Sequence, residues 1–222
     1  MRILTLATSG EIYSSNVALV LGSWSRLDCM NTLVDVGRDP VVLDSLLEAP
    51  TGVGKQRVEQ VVLTHGHYDH SSLLPTLVDR YRPRVLAFSW CVEGVTDLVA
   101  DGDTVQMGDQ RFEVIHTPGH TEDSICLYNK EEGVLFSGDS PILINSPGGH
   151  YEARFVAALS RICELDVRAI YFGHGQPLQA DCNRCLKRTL RIARDGTVES
   201  FERSQGSPLF GNAPTLRTWV VP

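Results

Sequence analysis

The chain has 222 residues, of which 42% are hydrophobic; it is long enough to bury one sizeable core and shows no low-complexity linker, so a single domain over residues 1–222 is expected. A formal net charge of -7 disfavours a nucleic-acid groove, which needs clustered Lys and Arg, and the longest basic cluster, Arg184 to Arg194, reads as a solvated helix face. No apolar run approaches the roughly eighteen residues of a membrane span, and Ile3 to Ala7 is too short for a signal peptide or anchor.

In chain order, Arg2 to Leu6, Val17 to Leu21 and Thr32 to Val36 read as strands, the third ending in Asp35-Val36-Gly37 before a helix near Pro40. The apolar stretch Val58 to Leu63 then runs directly into Thr64-His65-Gly66-His67-Tyr68-Asp69-His70. Side chains two apart on an extended chain point the same way, so His65 and His67 can close on one ion. Asp69 and His70 follow the strand end, near the start of a helix through Ser71, Leu73, Leu74, Leu77 and Val78, and can aim at a second ion nearby. Imidazole and carboxylate are the groups that hold zinc, iron or manganese.

After a helix to about Arg80, Val85 to Phe88 reads as a strand, and Thr104 to Met107 with Arg111 to His116 as a hairpin around Gly108-Asp109. His116 lies inside that hairpin strand and is expected to face away from the ions, as a structural residue. Three further segments each lead from an apolar strand into a tight turn with a ligand type. Phe112 to Ile115 leads to Pro118-Gly119-His120, Val134 to Phe136 to Ser137-Gly138-Asp139, and Ala169 to Phe172 to Gly173-His174-Gly175. Five of the seven histidines thus stand at strand ends. Ile125 to Tyr128 pairs with Val134 to Phe136 in a second hairpin, and a helix runs from about Tyr151 to Glu164. Strands with helices inserted twice and ligands along one edge suggest two stacked sheets with helices outside.

H-x-H-x-D-H, His120 in a Thr-Pro-Gly-His-Thr context, Gly-Asp139 and Gly-His174, in that order, resemble the metallo-beta-lactamase superfamily over roughly residues 16 to 190. The resemblance implies an α/β fold, a four-layer αββα sandwich of two mixed β-sheets flanked by helices. It implies His65, His67 and His120 on a first metal, Asp69, His70 and His174 on a second, and Asp139 bridging them. Two divalent ions are expected, zinc first and iron or manganese as alternatives. Asp35, in a Thr-Leu-Val-Asp-Val-Gly context, is expected to orient a ligand imidazole or to pack the turn.

Two cations close together lower the pKa of a shared water and polarise a carbonyl, and no nucleophile-elbow pattern offers a rival nucleophile. The expected activity is a metal-dependent hydrolase in which a metal-bridging hydroxide cleaves a thioester, ester or lactone of a small-molecule substrate, with Asp69 as the catalytic proton acceptor. The Thr-Pro-Gly-His-Thr and Phe-Ser-Gly-Asp contexts look most like the glyoxalase II group, which hydrolyses thioesters. The alternatives are a sulfur dioxygenase acting on a persulfide with one iron on His65, His120 and Asp139, and an RNA-processing metallo-hydrolase.

His150 and Tyr151, after the Gly-Pro-rich turn beyond Asp139, are candidate substrate contacts, and Tyr68 is expected to pack beneath the site. The six cysteines are scattered, so reduced thiols in a cytoplasmic protein are expected, with Cys182 and Cys185 near the first turn of a late helix. The tail from Gly196, with Phe201, Phe210 and Trp219, is expected to cover the cleft, to pack on a partner subunit of a homodimer, or to stay mobile.

Overall fold

Strands with apolar residues on both faces need cover on both sides, and that requirement organises this chain into layers. The computed structural model describes residues 1–195 apart from 25–26, 91, 146–148 and 150. Strands β1 (Arg2–Thr5), β2 (Ala18–Leu21), β3 (Thr32–Val34), β4 (Gln60–Val62), β5 (Arg84–Ala87) and β6 (Asp97–Leu98) lie side by side in chain order. The first two pairings are antiparallel and the next three parallel. Strands β7 (Thr104–Met107), β8 (Gln110–His116), β9 (Ile125–Asn129), β10 (Val134–Gly138) and β11 (Ala169–Phe172) form a second sheet in the order β11-β10-β9-β8-β7. Its β10–β11 pair is parallel and the others antiparallel.

Alternation along each strand sorts its apolar residues into separate cores. Leu19, Leu33, Val61 and Val85 face outward against Val42 and Leu46 of helix α1 (Val41–Glu48). Two further helices follow β4, namely α2 (Tyr68–Ser71) and α3 (Leu74–Tyr81), and α3 adds Leu74 and Leu77 to the same core. Their neighbours Val20, Val34 and Val62 face the second sheet and meet Met107, Phe112, Val114, Leu127 and Phe136. On the far side Ile115, Cys126, Leu135 and Ile170 pack under Phe155 and Leu159 of α4 (Ala153–Ile162) and Leu186 and Ile192 of α5 (Cys182–Asp195). Three cores between four layers make the expected αββα sandwich.

Parallel neighbours need helical crossovers, so β3, β4 and β5 end at one edge of their sheet, as β10 and β11 do in theirs. Ile125 N–H donates to Thr64 O at 2.9 Å and joins the two sheets at that edge. The third strand stops two residues earlier than its apolar run, because Asp35 turns out of it with φ 56. The helix after the histidine run is broken in two: Leu73 caps α3 and Pro75, in its first turn, has no N–H to continue the earlier ladder. Strand β6, only two residues long, has no counterpart in the sequence pattern.

Cys182 and Cys185 do open α5, as free thiols, and Cys182 donates to Leu178 O. Among the described residues no helix is long and apolar enough to cross a membrane. Phe201, Phe210 and Trp219 lie outside the described residues.

Phe112 is fully buried between the sheets, with its ring centroid 5.9 Å from that of Phe136. Phe112→Ala is expected to cost about 3–5 kcal/mol, read by chemical denaturation. A loss below about 1 kcal/mol would mean that the inter-sheet layer is not a close-packed core.

Candidate metal centre

Two groups of ligand-type side chains meet where the strand ends converge. His65, His67 and His120 form one, Asp69, His70, Asp139 and His174 the other, and within each group the potential ligand atoms all lie within 4.8 Å of one another. The alternation in His65-Gly66-His67 puts both rings on one ion position, with ring centroids 4.7 Å apart. Entry into α2 then turns Asp69 and His70 inward, where both are buried. Asp139 spans the groups. Its Oδ2 is 3.6 Å from His120 Nε2 and 3.4 Å from His174 Nε2, and its Oδ1 is 3.3 Å from His70 Nε2.

Hydrogen bonds around the groups decide which ring nitrogens face inward. Asp35 accepts from Thr64 N–H (2.8 Å), from the Thr64 hydroxyl (2.8 Å to Oδ2) and from His70 Nδ1–H (2.8 Å). Since the Thr64 hydroxyl proton goes to Asp35, its oxygen accepts from His65 Nδ1–H at 3.1 Å. Both rings therefore turn Nε2 toward the centre, and these two buried atoms have no hydrogen-bond partner among the described residues. His67 Nδ1 and His120 Nε2 face each other at 2.9 Å. Converging imidazole lone pairs beside carboxylates are the donor set of a divalent transition-metal cation, so the residues present fit such ions.

Protonation follows the same geometry. Burial, reinforced by the neighbouring His70, brings His65 down to about 4, so its ring is neutral and free to coordinate at neutral pH. Burial opposes charge on His70 as well, but Asp35 and Asp139 outweigh it and raise the ring to about 10. The carboxylates that favour a proton there favour a metal cation in its place. Burial works against ionisation of Asp139 too, yet the His174 and His70 rings beside it hold its carboxyl well below the usual range.

Glycines at two turns allow the close approach. A Cβ on Gly173 would collide with Asp139 Oδ1 and sit 2.7 Å from His70 Cε1. Gly138 has φ +51, and a Cβ there would lie 2.6 Å from Thr64 Oγ1.

The seven residues expected from the sequence as metal ligands are all brought together, and Asp35 accepts a hydrogen bond from the His70 imidazole. His116 points away from the centre, stacked on Phe88 at 3.9 Å with Nε2 2.7 Å from Glu122 O. Tyr68 corrects its expected place: it does not pack beneath the site but stands 58% exposed at the rim, because the first turn of α2 directs its neighbours Asp69 and His70 inward and leaves it outward. Tyr151 is half-buried against Phe155 on the α4 side, and His150 lies outside the described residues.

Two residues have no sequence signal that would have found them. Asn16 pins the 173–175 turn by donating twice from its side chain, to Phe172 O (3.0 Å) and Gly175 O (2.7 Å). Tyr13 stacks on His174 with centroids 4.9 Å apart, its hydroxyl 3.3 Å from Nε2. Both belong to the irregular stretch between β1 and β2, where no periodicity marks a role.

Comparison with known proteins places these features in a family context. The sequence profile of the metallo-beta-lactamase superfamily matches residues 30–89 and 94–174. A hydroxyacylglutathione hydrolase from Hydrogenovibrio crunogenus is 33% identical over 144 residues, covering 63% of this chain and 49% of that protein. An acyl-coenzyme A thioesterase from Gallus gallus is 31% identical over 163 residues, covering 56% of this chain and 57% of its own. The chain thus spans about half the length of these curated relatives. The crystal structure of ETHE1 from Myxococcus xanthus superposes with a TM-score of 0.65 at 23% identity, over 87% of this chain and 85% of that one, a likeness of fold.

Asp35→Asn keeps the shape but removes the charge that His70 faces, and is expected to weaken metal binding about 10- to 100-fold. Gly173→Ala is expected to lower metal content further by displacing Asp139 and His70. Metal per chain by mass spectrometry, with circular dichroism as the control for folding, checks both. Full metal content in Gly173→Ala would show that the turn does not shape the centre.

Proposed function

The chain belongs to the metallo-beta-lactamase superfamily, and from that premise we propose that it is a metal-dependent hydrolase of a small-molecule thioester, with an ester or lactone as the related alternative. The observation that carries the reading is the meeting of two complementary donor groups at Asp139, whose oxygens stand within 3.6 Å of histidine nitrogens from both. Relatives named as a hydroxyacylglutathione hydrolase and an acyl-coenzyme A thioesterase support the choice of bond.

His65, His67 and His120 would hold one divalent ion and Asp69, His70 and His174 a second, with Asp139 shared; zinc is the first choice and iron or manganese the alternatives. Bound there, such ions would supply a water acidified toward neutral pH and a Lewis acid for the carbonyl. The protein's own groups do the rest. Asp69, buried, with Oδ2 3.0 Å from His174 Nε2, is placed to take the proton of the attacking water at a carboxylate oxygen. Asp35, through Thr64 and His70, keeps the ring tautomers constant while charge develops nearby. His67 and His120 are exposed, so the first donor group is the side a substrate reaches.

Asp69→Ala is expected to cut turnover of a model thioester by at least about 100-fold without altering the fold. The measurement pairs steady-state kinetics with metal content for protein reconstituted with zinc, iron or manganese. Near-normal turnover at full metal content would remove Asp69 from the mechanism. A single tightly held iron per chain with oxygen uptake and no thioester cleavage would replace the hydrolase by the dioxygenase.

A further inference from the structure

Over the Tyr68 ring stands a cation, Arg38, that makes no ion pair among the described residues. Arg38 follows Gly37 in the turn beyond β3, its own N–H donating to Ser14 Oγ at 2.9 Å, while Val36 and Gly37 N–H donate to His70 O. The turn is thereby tied both to the loop that carries Tyr13 and to the segment that carries the ligands. The Arg38 guanidinium carbon lies 5.3 Å from the centroid of the Tyr68 ring. Tyr68 in turn sits between His67 and Asp69 in the chain and faces solvent.

Among the described residues the Arg38 side chain makes no ion pair and no hydrogen bond, and its guanidinium lies over the Tyr68 ring. The adjacent carboxylate is committed elsewhere. Asp39 is buried and accepts from the Ser9 N–H and hydroxyl at 2.6 Å each and from Val41 N–H at 3.1 Å. In a chain of net charge -7 an arginine finds acids readily, yet this one is held on the aromatic face of a residue that lies between two candidate ligands in the chain. That contact uses the π face of the ring and consumes no acceptor, so the N–H donors of the guanidinium stay available. Their fork matches a carboxylate or phosphate in bidentate fashion.

Resting on the thioester reading above, we propose that Arg38, seated on Tyr68, is a specificity-determining subsite that binds an anionic group, phosphate or carboxylate, carried by the substrate. Tyr68 fixes the guanidinium at the rim, and the anion docked there holds the scissile bond over the donor groups. The enzyme then selects charged thioesters over neutral ones of the same acyl size.

The test compares four thioesters on metal-reconstituted wild type, Arg38→Gln and Arg38→Lys. S-acetyl-N-acetylcysteamine is neutral, acetyl-coenzyme A carries phosphates on the thiol half, S-acetylglutathione carries carboxylates there, and S-succinyl-N-acetylcysteamine carries its carboxylate on the acyl half. Wild type is expected to favour at least one charged probe over the neutral one by about five- to tenfold in kcat/KM, expressed in KM. In Arg38→Gln that ratio should fall to within about twofold of unity, with partial recovery in Arg38→Lys. The favoured probe identifies where the anion resides. No charge preference in wild type, or a preference that Arg38→Gln retains, overturns the subsite. Should none of the four be cleaved, the hydrolase reading fails separately. The subsite is then judged by calorimetry with coenzyme A, glutathione and succinate on the same proteins: affinity lost in Arg38→Gln upholds it, and equal affinity or no binding rejects it.

Discussion

The carboxylate of Asp35 is 2% exposed, and its three accepted hydrogen bonds are what the geometry of the centre depends on. An unpaired carboxylate at that depth would cost several kcal/mol; here Thr64 and His70 compensate it, and in doing so acquire fixed orientations. Through the Thr64 hydroxyl the influence passes to His65, so one side chain sets the tautomer in both donor groups. The residue reaches this position by leaving the strand with φ 56, a left-handed conformation that aspartate tolerates at about 1–2 kcal/mol. Its N–H still donates to Val62 O, which keeps the exit from β3 registered on β4.

Around that anchor, short polar ties hold turns that are far apart in sequence. The Thr117 and Ser140 hydroxyls, 2.7 Å apart and buried, join the turn that carries His120 to the turn that carries Asp139. Asn16 fastens the turn of His174, and Ser15 N–H donates to Asp69 O. The three apolar cores fix the strands, and these bonds then fix the strand ends relative to one another. Among the described residues the candidate ligands are only histidine and aspartate, short side chains carried on strand-end turns and one short helix.

The two donor groups differ in their exposure, and this gives the centre a direction. His67 and His120 face outward, whereas Asp69 and His70 are buried behind them. Aromatic rings frame the opening, Tyr13 against His174 and Tyr68 beneath Arg38. The interior is thus rich in acids and imidazoles, a donor set that suits cations, while Tyr68 stands exposed beside them.

Much of this was legible in the sequence because it is local. Strand alternation, the His-x-His step, glycines before Asp139 and His174, and the Gly108-Asp109 hairpin turn each express themselves within a few residues, so their positions along the chain follow from period and turn chemistry alone. The weaker features were lost for equally physical reasons. A two-residue strand such as β6 has too few residues to show a period, and the interruption between α2 and α3 reflects Pro75 within an otherwise continuous apolar pattern. Tyr68 looked like a packing residue from its neighbours, but the turn that buries Asp69 and His70 necessarily points it outward. By itself the sequence determined the candidate ligand types, their order and the strand-end turns that present them. Only the tertiary structure decided which of them face one another, that Asp39 turns away from Arg38, and that Tyr13 lies on His174 across 161 residues. Such juxtapositions arise from sheets packing face to face, and no local propensity encodes the distance between two strand ends on different sheets.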